Sequence, residues 1–326
     1  MIVKRILIFL LKLLSKHNRE KRLLFLHIDK CLLPIIRKAI KDKCRVDFLW
    51  KDLVVPDDTD YFITDIAQDL DDPIDDKLLI LIKETRDKGI KTVYFEHGNR
   101  ATTHFGSDYK YLNLFDIIYM GNTESKEALK AISRPEDSSD IREWKRPTKY
   151  KRGKAKDYIL YASQFNNKNK YDQLYSDTLK YRNNREIALM LNWYKKTIWK
   201  MLPKSDEQYD PMIDFISNYC KNIEVRTKGS LEKLLSHAIA FVCDSPSTSY
   251  YDAIDMGVPT LCLRPATATP MRDSAKKMFG GTYYRYKDLN SMRNRLDIFL
   301  KNVYYNTNLL EYPIIKRSPD LMPWEE

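Results

Sequence analysis

Short apolar runs rich in β-branched and aromatic residues recur along this chain with helically spaced segments between them, and the pattern is played through twice. In the first half, runs suited to buried strands fall at Arg22–Ile28, Val46–Trp50, Tyr61–Ile66, Thr92–Glu96 and Ile117–Met120. Helical periodicity marks intervening segments such as Leu32–Ile40 and Lys77–Lys88. Strands that are apolar throughout are covered on both faces, and strands alternating with helices build parallel sheets. The alternation restarts with strands at Tyr158–Ala162, Ile223–Arg226, Ile239–Cys243, Thr260–Arg264 and Thr282–Tyr286. Helices are predicted at Leu231–His237, Ser247–Met256, Met271–Phe279 and Leu289–Val303, and the stretch from Lys170 to Cys220 reads as helical. The expected fold class is α/β, with two Rossmann-like domains facing a cleft.

Between the halves the character of the chain changes. Residues 134–156 are polar, hold Pro135 and Pro147, and end in a run with Arg142, Lys145, Arg146, Lys149, Lys151, Arg152, Lys154 and Lys156. This is linker chemistry. The expected organisation is a first Rossmann-like domain over residues 1–140, a basic linker over 141–156 and a second Rossmann-like domain over 157–326. A chain of 326 residues with 43% hydrophobic and 12% aromatic content can supply a core to each half. Open α/β sheets bind ligands beyond the carboxyl ends of their strands, so the residues ending each strand are the ones to inspect.

The formal net charge of +11 favours polyanionic partners. No RNA-recognition aromatic motif, zinc-finger spacing or basic-zipper heptad accompanies it, so nucleic acid is not an expected partner. The five cysteines, Cys31, Cys44, Cys220, Cys243 and Cys262, are scattered within apolar runs with no C-x-x-C pair, the pattern of reduced buried thiols in a cytosolic protein. Residues 1–14 read MIVKRILIFLLKLL, too short to span a bilayer and interrupted and followed by basic residues out to Arg22. Residues 1–22 therefore suggest an anchor on an anionic membrane surface, with a first helix packed on the core as the alternative. A signal peptide is disfavoured because no small-residue cleavage site follows.

The most informative segment is Ala240–Pro265, AFVCDSPSTSYYDAIDMGVPTLCLRP. An apolar strand ends at Cys243, a polar turn runs from Asp244 to Ser249, and a helix continues to Gly257. Unpaired backbone N–H groups at the helix start, with the dipole and the hydroxyls of Ser245, Ser247, Thr248 and Ser249, make a phosphate cradle. The plainer reading is that Ser247 or Thr248 is only an N-cap. In the first half, the strand Thr92–Glu96 runs into His97-Gly98-Asn99-Arg100. His97 at a strand end could take the proton of an attacking hydroxyl and Gly98 would let the backbone approach a substrate; a capping histidine is the plainer alternative.

The strand, the Asp-x-x-Ser turn, the helix and the closing Gly-Val-Pro-Thr resemble the donor-phosphate motif of GT-B glycosyltransferases of bacterial surface polysaccharides. They also resemble the related CDP-glycerol glycerophosphotransferases. The resemblance implies that His97 faces the cleft as a base or donor contact; Asn99-Arg100 departs from the Thr-Pro pair usual there, which weakens glycerol phosphate as the transferred group. Glu96 and Asp244 are further catalytic candidates as carboxylates at strand ends, with a cap for the following loop as the alternative reading of Asp244. Gly98, Arg100, Lys228 and Arg264 are candidate substrate contacts, with Arg226 and Arg272 behind them. The acidic runs Asp57-Asp58-Thr59-Asp60 and Asp71-Asp72 read as solvated loops, so neither metal nor cofactor is expected.

The expected activity is transfer of a sugar from a nucleotide-activated donor, a CMP-sugar such as CMP-Kdo before a UDP-sugar, to a bacterial surface glycan or glycolipid at the inner face of the cell membrane. Polyol-phosphate transfer from a CDP-alcohol and non-catalytic binding of phosphorylated glycan or anionic lipid are the alternatives.

Overall fold

Both alternations fold as fully parallel sheets. A computed structural model of the chain describes residues 21–26, 32–49, 54–65, 73–96, 112–133, 139–144, 150–163, 177–201, 210–268, 270–305 and 321–325. The chain divides into two compact units, the first comprising Met1–Asn99, His104–Pro147 and Arg317–Glu326, the second Arg100–Thr103 and Thr148–Lys316.

In unit 1 the strands β1 (Arg22–Phe25), β2 (Arg45–Phe48), β3 (Tyr61–Thr64), β4 (Lys91–Phe95), β5 (Ile117–Met120) and β6 (Asp140–Glu143) stand in the order β2-β1-β3-β4-β5-β6. Helices α1 (Leu33–Lys41), α2 (Pro73–Asp87) and α3 (Thr123–Ile132) lie between them in sequence. Successive strand residues feed opposite faces: Leu23 and Phe25 join Ile36, Val46, Val93 and Tyr119, whereas Leu24 joins Phe62, Ile82, Ile118 and Leu129. Two covered faces explain why the strands read as unbroken apolar runs.

In unit 2 the strands β7 (Ile159–Ala162), β8 (Thr197–Lys200), β9 (Ile223–Arg226), β10 (Ala240–Cys243), β11 (Thr260–Pro265) and β12 (Tyr283–Tyr286) stand in the order β12-β11-β10-β7-β8-β9. The helices are α4 (Asp177–Tyr194), α5 (Met212–Tyr219), α6 (Leu231–Leu235), α7 (Thr248–Asp255), α8 (Asp273–Phe279) and α9 (Leu289–Tyr305). One face of the sheet packs Tyr161, Trp199, Val242 and Leu263 against α4, α5 and α9; the other packs Leu160, Phe241, Cys243 and Cys262 against α6, α7 and α8. The first strand, β7, sits between β10 and β8, so the strand order reverses at the β7–β10 boundary, the dinucleotide-binding arrangement.

Three features differ from the sequence expectations. Residues 140–143, partly inside the expected linker, form β6 at the edge of the unit 1 sheet, where Ile141 and Glu143 are buried and Asp140 and Arg142 on the other face can reach water. Further along, residues 150–157 strap onto unit 2: Gly153 N–H donates to Ser236 O at 2.9 Å, Lys156 N–H to His237 O at 2.7 Å, and Arg152 reaches the carbonyls of Leu235 and Ala238. Gly153 suits this approach because a Cβ there would sit 2.7 Å from the His237 ring. Second, the segment read as continuous helix contains β8, whose four buried residues are too few to show against the helical pattern on either side.

Third, the carboxyl-terminal stretch does not stay with the donor unit. Met322 and Trp324 are buried in the unit 1 core, Trp324 Nε1 donates to Asp42 Oδ2 at 3.0 Å, and Tyr61 OH donates to Pro323 O at 2.7 Å. Among the described cysteines, Cys44, Cys220, Cys243 and Cys262 are buried free thiols. Residues 1–20 of the segment expected to contact membrane, and Asp71-Asp72, lie outside the described residues; Arg22, the last residue of that segment, opens β1 and pairs with Asp47 and Asp58.

Candidate functional site

The segment singled out in the sequence sits on the central strand of unit 2. β10 is buried along its whole length because β7 and β11 flank it and helices cover both faces. At its carboxyl end Asp244 and Ser245 are buried, and Ser247 N–H donates to Ser245 O at 2.9 Å, closing a tight turn around Pro246. Helix α7 then starts with Ser247 as its N-cap residue in extended conformation. Tyr250 N–H donates to Ser247 O at 2.9 Å. The Ser247 side chain makes no capping bond; its Oγ lies 3.3 Å from Ser249 Oγ. The N–H groups of Thr248 and Ser249 fall in the first turn, where a helix has no acceptor of its own. A half-buried hydroxyl cluster therefore surrounds a helix start that its N-cap side chain does not cap.

The far end of α7 closes the same motif. Gly257 has φ +67, its N–H donates to Ile254 O at 2.9 Å, and Val258 N–H donates to Ala253 O at 2.9 Å. This is the left-handed Schellman stop that glycine accommodates without penalty, and it turns the chain directly into β11. Tyr250 and Tyr251 fix the helix to the sheet; the Tyr250 hydroxyl meets Thr282 Oγ1 and its ring packs edge-on against Phe279.

Basic side chains end the neighbouring strands. Arg264, on β11, is buried and its Nη1 donates to the carbonyl of Asp244 at 3.1 Å, so it braces the turn that leads to α7. Lys228 follows β9 and is exposed beside Gly229, which has φ +89. Arg226 is engaged by Glu224 at 2.5 Å, and Arg272 is buried at the start of α8. Lys200, which the sequence reading missed, ends β8: it is 5% exposed, and its Nζ donates to Met201 O at 2.6 Å and Thr227 O at 3.1 Å. Burial lowers its pKa from the ordinary lysine value. The only signal for it was a lysine following Thr-Ile-Trp, and that signal was lost once the segment read as helix.

Cys243 and Cys262 are aligned on β10 and β11 below the turn. Burial first, and then the hydrogen bond with Cys262, push the Cys243 thiol well above its ordinary value. It is a neutral packing group, unsuited to nucleophilic catalysis.

In unit 1, Glu96 follows β4 and its Oε2 accepts the Gly121 N–H at 2.7 Å, tying it to the turn after β5. Asn122 caps α3 by accepting Ser125 N–H at 2.8 Å, and Glu143 at the end of β6 accepts Thr123 Oγ1–H at 2.8 Å. Asp65, just past β3, is buried as well. His97, Gly98 and Arg100 lie outside the described residues. The acidic run at 57–60 lies at the opposite, amino-terminal edge of this sheet: Asp57 pairs with Lys88 at 2.8 Å, Asp58 with Arg22, and Asp60 Oδ2 accepts Arg22 N–H at 2.5 Å. Among the described residues, no group of three or more histidine, cysteine or carboxylate side chains is arranged to hold a metal ion.

Solved structures share the fold. The Arabidopsis thaliana protein UGT89C1, solved with UDP-L-rhamnose, matches with a TM-score of 0.53 and 10% identity over 96% of this chain and 88% of its own. The spinosyn forosaminyltransferase SpnP matches with a TM-score of 0.49 and 11% identity over 91% of this chain and 97% of its own. With its two parallel α/β units, the chain has the GT-B fold. Among curated proteins no sequence matches it. The model of the LIC12162 family of transferases matches residues 66–281, which run from the end of β3 in unit 1 to the end of α8 in unit 2, and the chain belongs to that family.

Proposed function

We propose that this transferase is a glycosyltransferase taking a sugar from a nucleotide-activated donor. The observation that carries the reading is the start of α7: an N-cap serine that does not cap, first-turn N–H groups without helical acceptors and the hydroxyls of Ser247, Thr248 and Ser249, at the end of β10, which borders the β7–β10 switch point. A donor phosphate bound there meets the positive end of the helix, which stabilises the charge gathering on the phosphate as it leaves. The acceptor hydroxyl attacks the anomeric carbon, the carbon–oxygen bond to phosphate breaks with its electron pair going to the nucleotide, and the hydroxyl proton passes to a base. His97 and Glu96 are the proposed bases, with Asp244 as a carboxylate beside the phosphate and Lys228, Arg100 and Gly98 as substrate contacts. Arg264 acts on the donor by holding the Asp244 carbonyl.

The donor is a pyrimidine nucleotide sugar. A CMP-linked acidic sugar such as CMP-Kdo suits the hydroxyl-rich turn and basic strand ends, and a UDP-sugar is supported by the ligand of UGT89C1. The acceptor is a surface glycan or glycolipid, reached with the help of the basic apolar residues 1–22. A thermal-shift series with CMP, CDP, UDP, GDP and ADP tests the reading, because a ligand that binds the native state raises its melting temperature. A selective pyrimidine shift abolished by Ser247→Ala with Thr248→Ala is the expected result, and a shift only with CMP or only with UDP identifies the donor class. No shift with any nucleotide overturns the reading.

A further inference from the structure

The amino-terminal edge of unit 2, opposite the α7 start, carries aromatic side chains that its core does not use. Trp193 in the last turn of α4 is 85% exposed, Tyr219 at the end of α5 is 65% exposed, and Tyr304 and Tyr305 at the end of α9 are 54% and 66% exposed. Contacts gather them at one place. Helices α4 and α9 run side by side in the same direction, since Glu186 meets Arg293 at 2.5 Å, Tyr194 meets Asp297, and the Lys195 ammonium lies 5.3 Å from the centroid of the Tyr304 ring. Asn222, just beyond α5, donates from N and Nδ2 to Oδ1 and O of Asn192, each at 2.8 Å, which ties the end of α5 to the last turn of α4. The edge itself is identified by Thr197, the first residue of β8, whose N–H donates to Asn222 O at 2.8 Å.

The charges around this patch are mixed with a positive excess. Lys195 pairs with Asp157 at 2.5 Å, Lys196 with Glu224 at 3.7 Å and Lys301 with Asp297 at 2.7 Å, while Arg226 shares Glu224 and Lys221 is exposed. Four lysines at this edge thus face three carboxylates. Tryptophan and tyrosine, apolar in body and polar at the tip, are the side chains best suited to the headgroup layer of a bilayer, and flanking lysines reach the phosphates from there. A second copy of the chain is a poor occupant because two bodies each of net charge +11 repel, whereas an anionic surface attracts them.

We propose that Trp193, Tyr219, Tyr304 and Tyr305 form a docking face for an anionic lipid surface. Among the described residues no helix is long and apolar enough to cross a membrane, so this contact is peripheral. It leaves the α7 end of unit 2 uncovered.

The test is co-sedimentation of the full chain with vesicles of phosphatidylcholine alone and of phosphatidylcholine mixed with phosphatidylglycerol, using the wild type and the triple variant Trp193→Ser, Tyr304→Ser, Tyr305→Ser. The expected result is binding to the anionic vesicles that weakens about tenfold or more in the variant, with melting temperature retained because the replaced rings are exposed. Three results overturn it: no binding by the wild type, equal binding by both proteins, which would move the contact to another surface such as residues 1–22, or a wild-type dimer in solution that the variant converts to monomer. The status of the nucleotide site is read separately from the thermal-shift series.

Discussion

The two units are built on one plan and finished with opposite chemistry at the ends of their strands. In unit 1 the carboxyl edge presents Asp65, Glu96 and Glu143, with Glu96 and Glu143 held by the Gly121 N–H and the Thr123 hydroxyl. In unit 2 Arg264 braces the turn that carries the hydroxyls of Ser245, Ser247, Thr248 and Ser249, and Lys200 ends, and Lys228 follows, the strands two and three places along the same sheet from β10. The sheet supplies position and the residue that ends each strand supplies the chemistry. An acidic edge repels phosphate and offers proton acceptors; a cationic, hydroxyl-bearing edge with an open helix start receives an anion. The units differ in strand order as well, since β1 of unit 1 neighbours β2 and β3, whereas β7 of unit 2 neighbours β8 and β10.

The sharpest way to break this division of labour is to remove the proposed bases of unit 1. His97→Ala and Glu96→Gln are expected to lower the transfer rate by about 10²–10⁴-fold while leaving the nucleotide-induced thermal shift intact, the usual contribution of general-base catalysis. Loss of the nucleotide shift in either variant would mean that unit 1 also holds the donor. Next in size is the tail. Trp324→Ala removes a buried indole from the unit 1 core and its bond to Asp42, and should destabilise that unit by about 3–5 kcal/mol, read as an earlier first transition in calorimetry with the unit 2 transition unmoved.

A smaller loss follows from Arg264→Met, which leaves the buried Asp244 carbonyl without this donor. Denaturant unfolding should show a cost of about 1–3 kcal/mol in unit 2, accompanied by weaker nucleotide binding; full stability with normal binding would remove Arg264 from the account. The smallest effect is alkaline. Burial, then the hydrogen bond to Asp297, push the Tyr194 phenol up to about 12. An unfolded tyrosine releases its proton near the ordinary value of about 10, so the folded state holds more protons between those values and stability falls as pH rises across that window. Tyr194→Phe should flatten that slope in pH-dependent melting, and an unchanged slope would assign it to other groups.

The α7 motif was legible in the sequence because all of its parts are local: a strand ending at Cys243, a hydroxyl-rich turn and a glycine stop at Gly257 lie within one continuous stretch. The long apolar strands were legible for the same reason, with β5 and β9 matching residue for residue. β8 was hidden because it follows α4 within two residues and its apolar residues blend into the helical pattern before it, and β6, DIRE, by carrying three charged residues in four, which an edge position permits. Lys200 could not be found locally, since one of the carbonyls that hold it belongs to Thr227, just past the next strand.

By itself the sequence determined two α/β alternations, a basic segment between them and a hydroxyl-rich turn opening a helix, because periodicity, capping and turn chemistry act over a few residues. Only the tertiary structure decided which strands are neighbours, that Arg264 braces the Asp244 turn, that Lys200 is buried and that Trp324 belongs to unit 1. Each of these depends on hydrogen bonds or burial between residues far apart in the chain, and pairing at that range is fixed by packing the whole sheet, which no local pattern encodes.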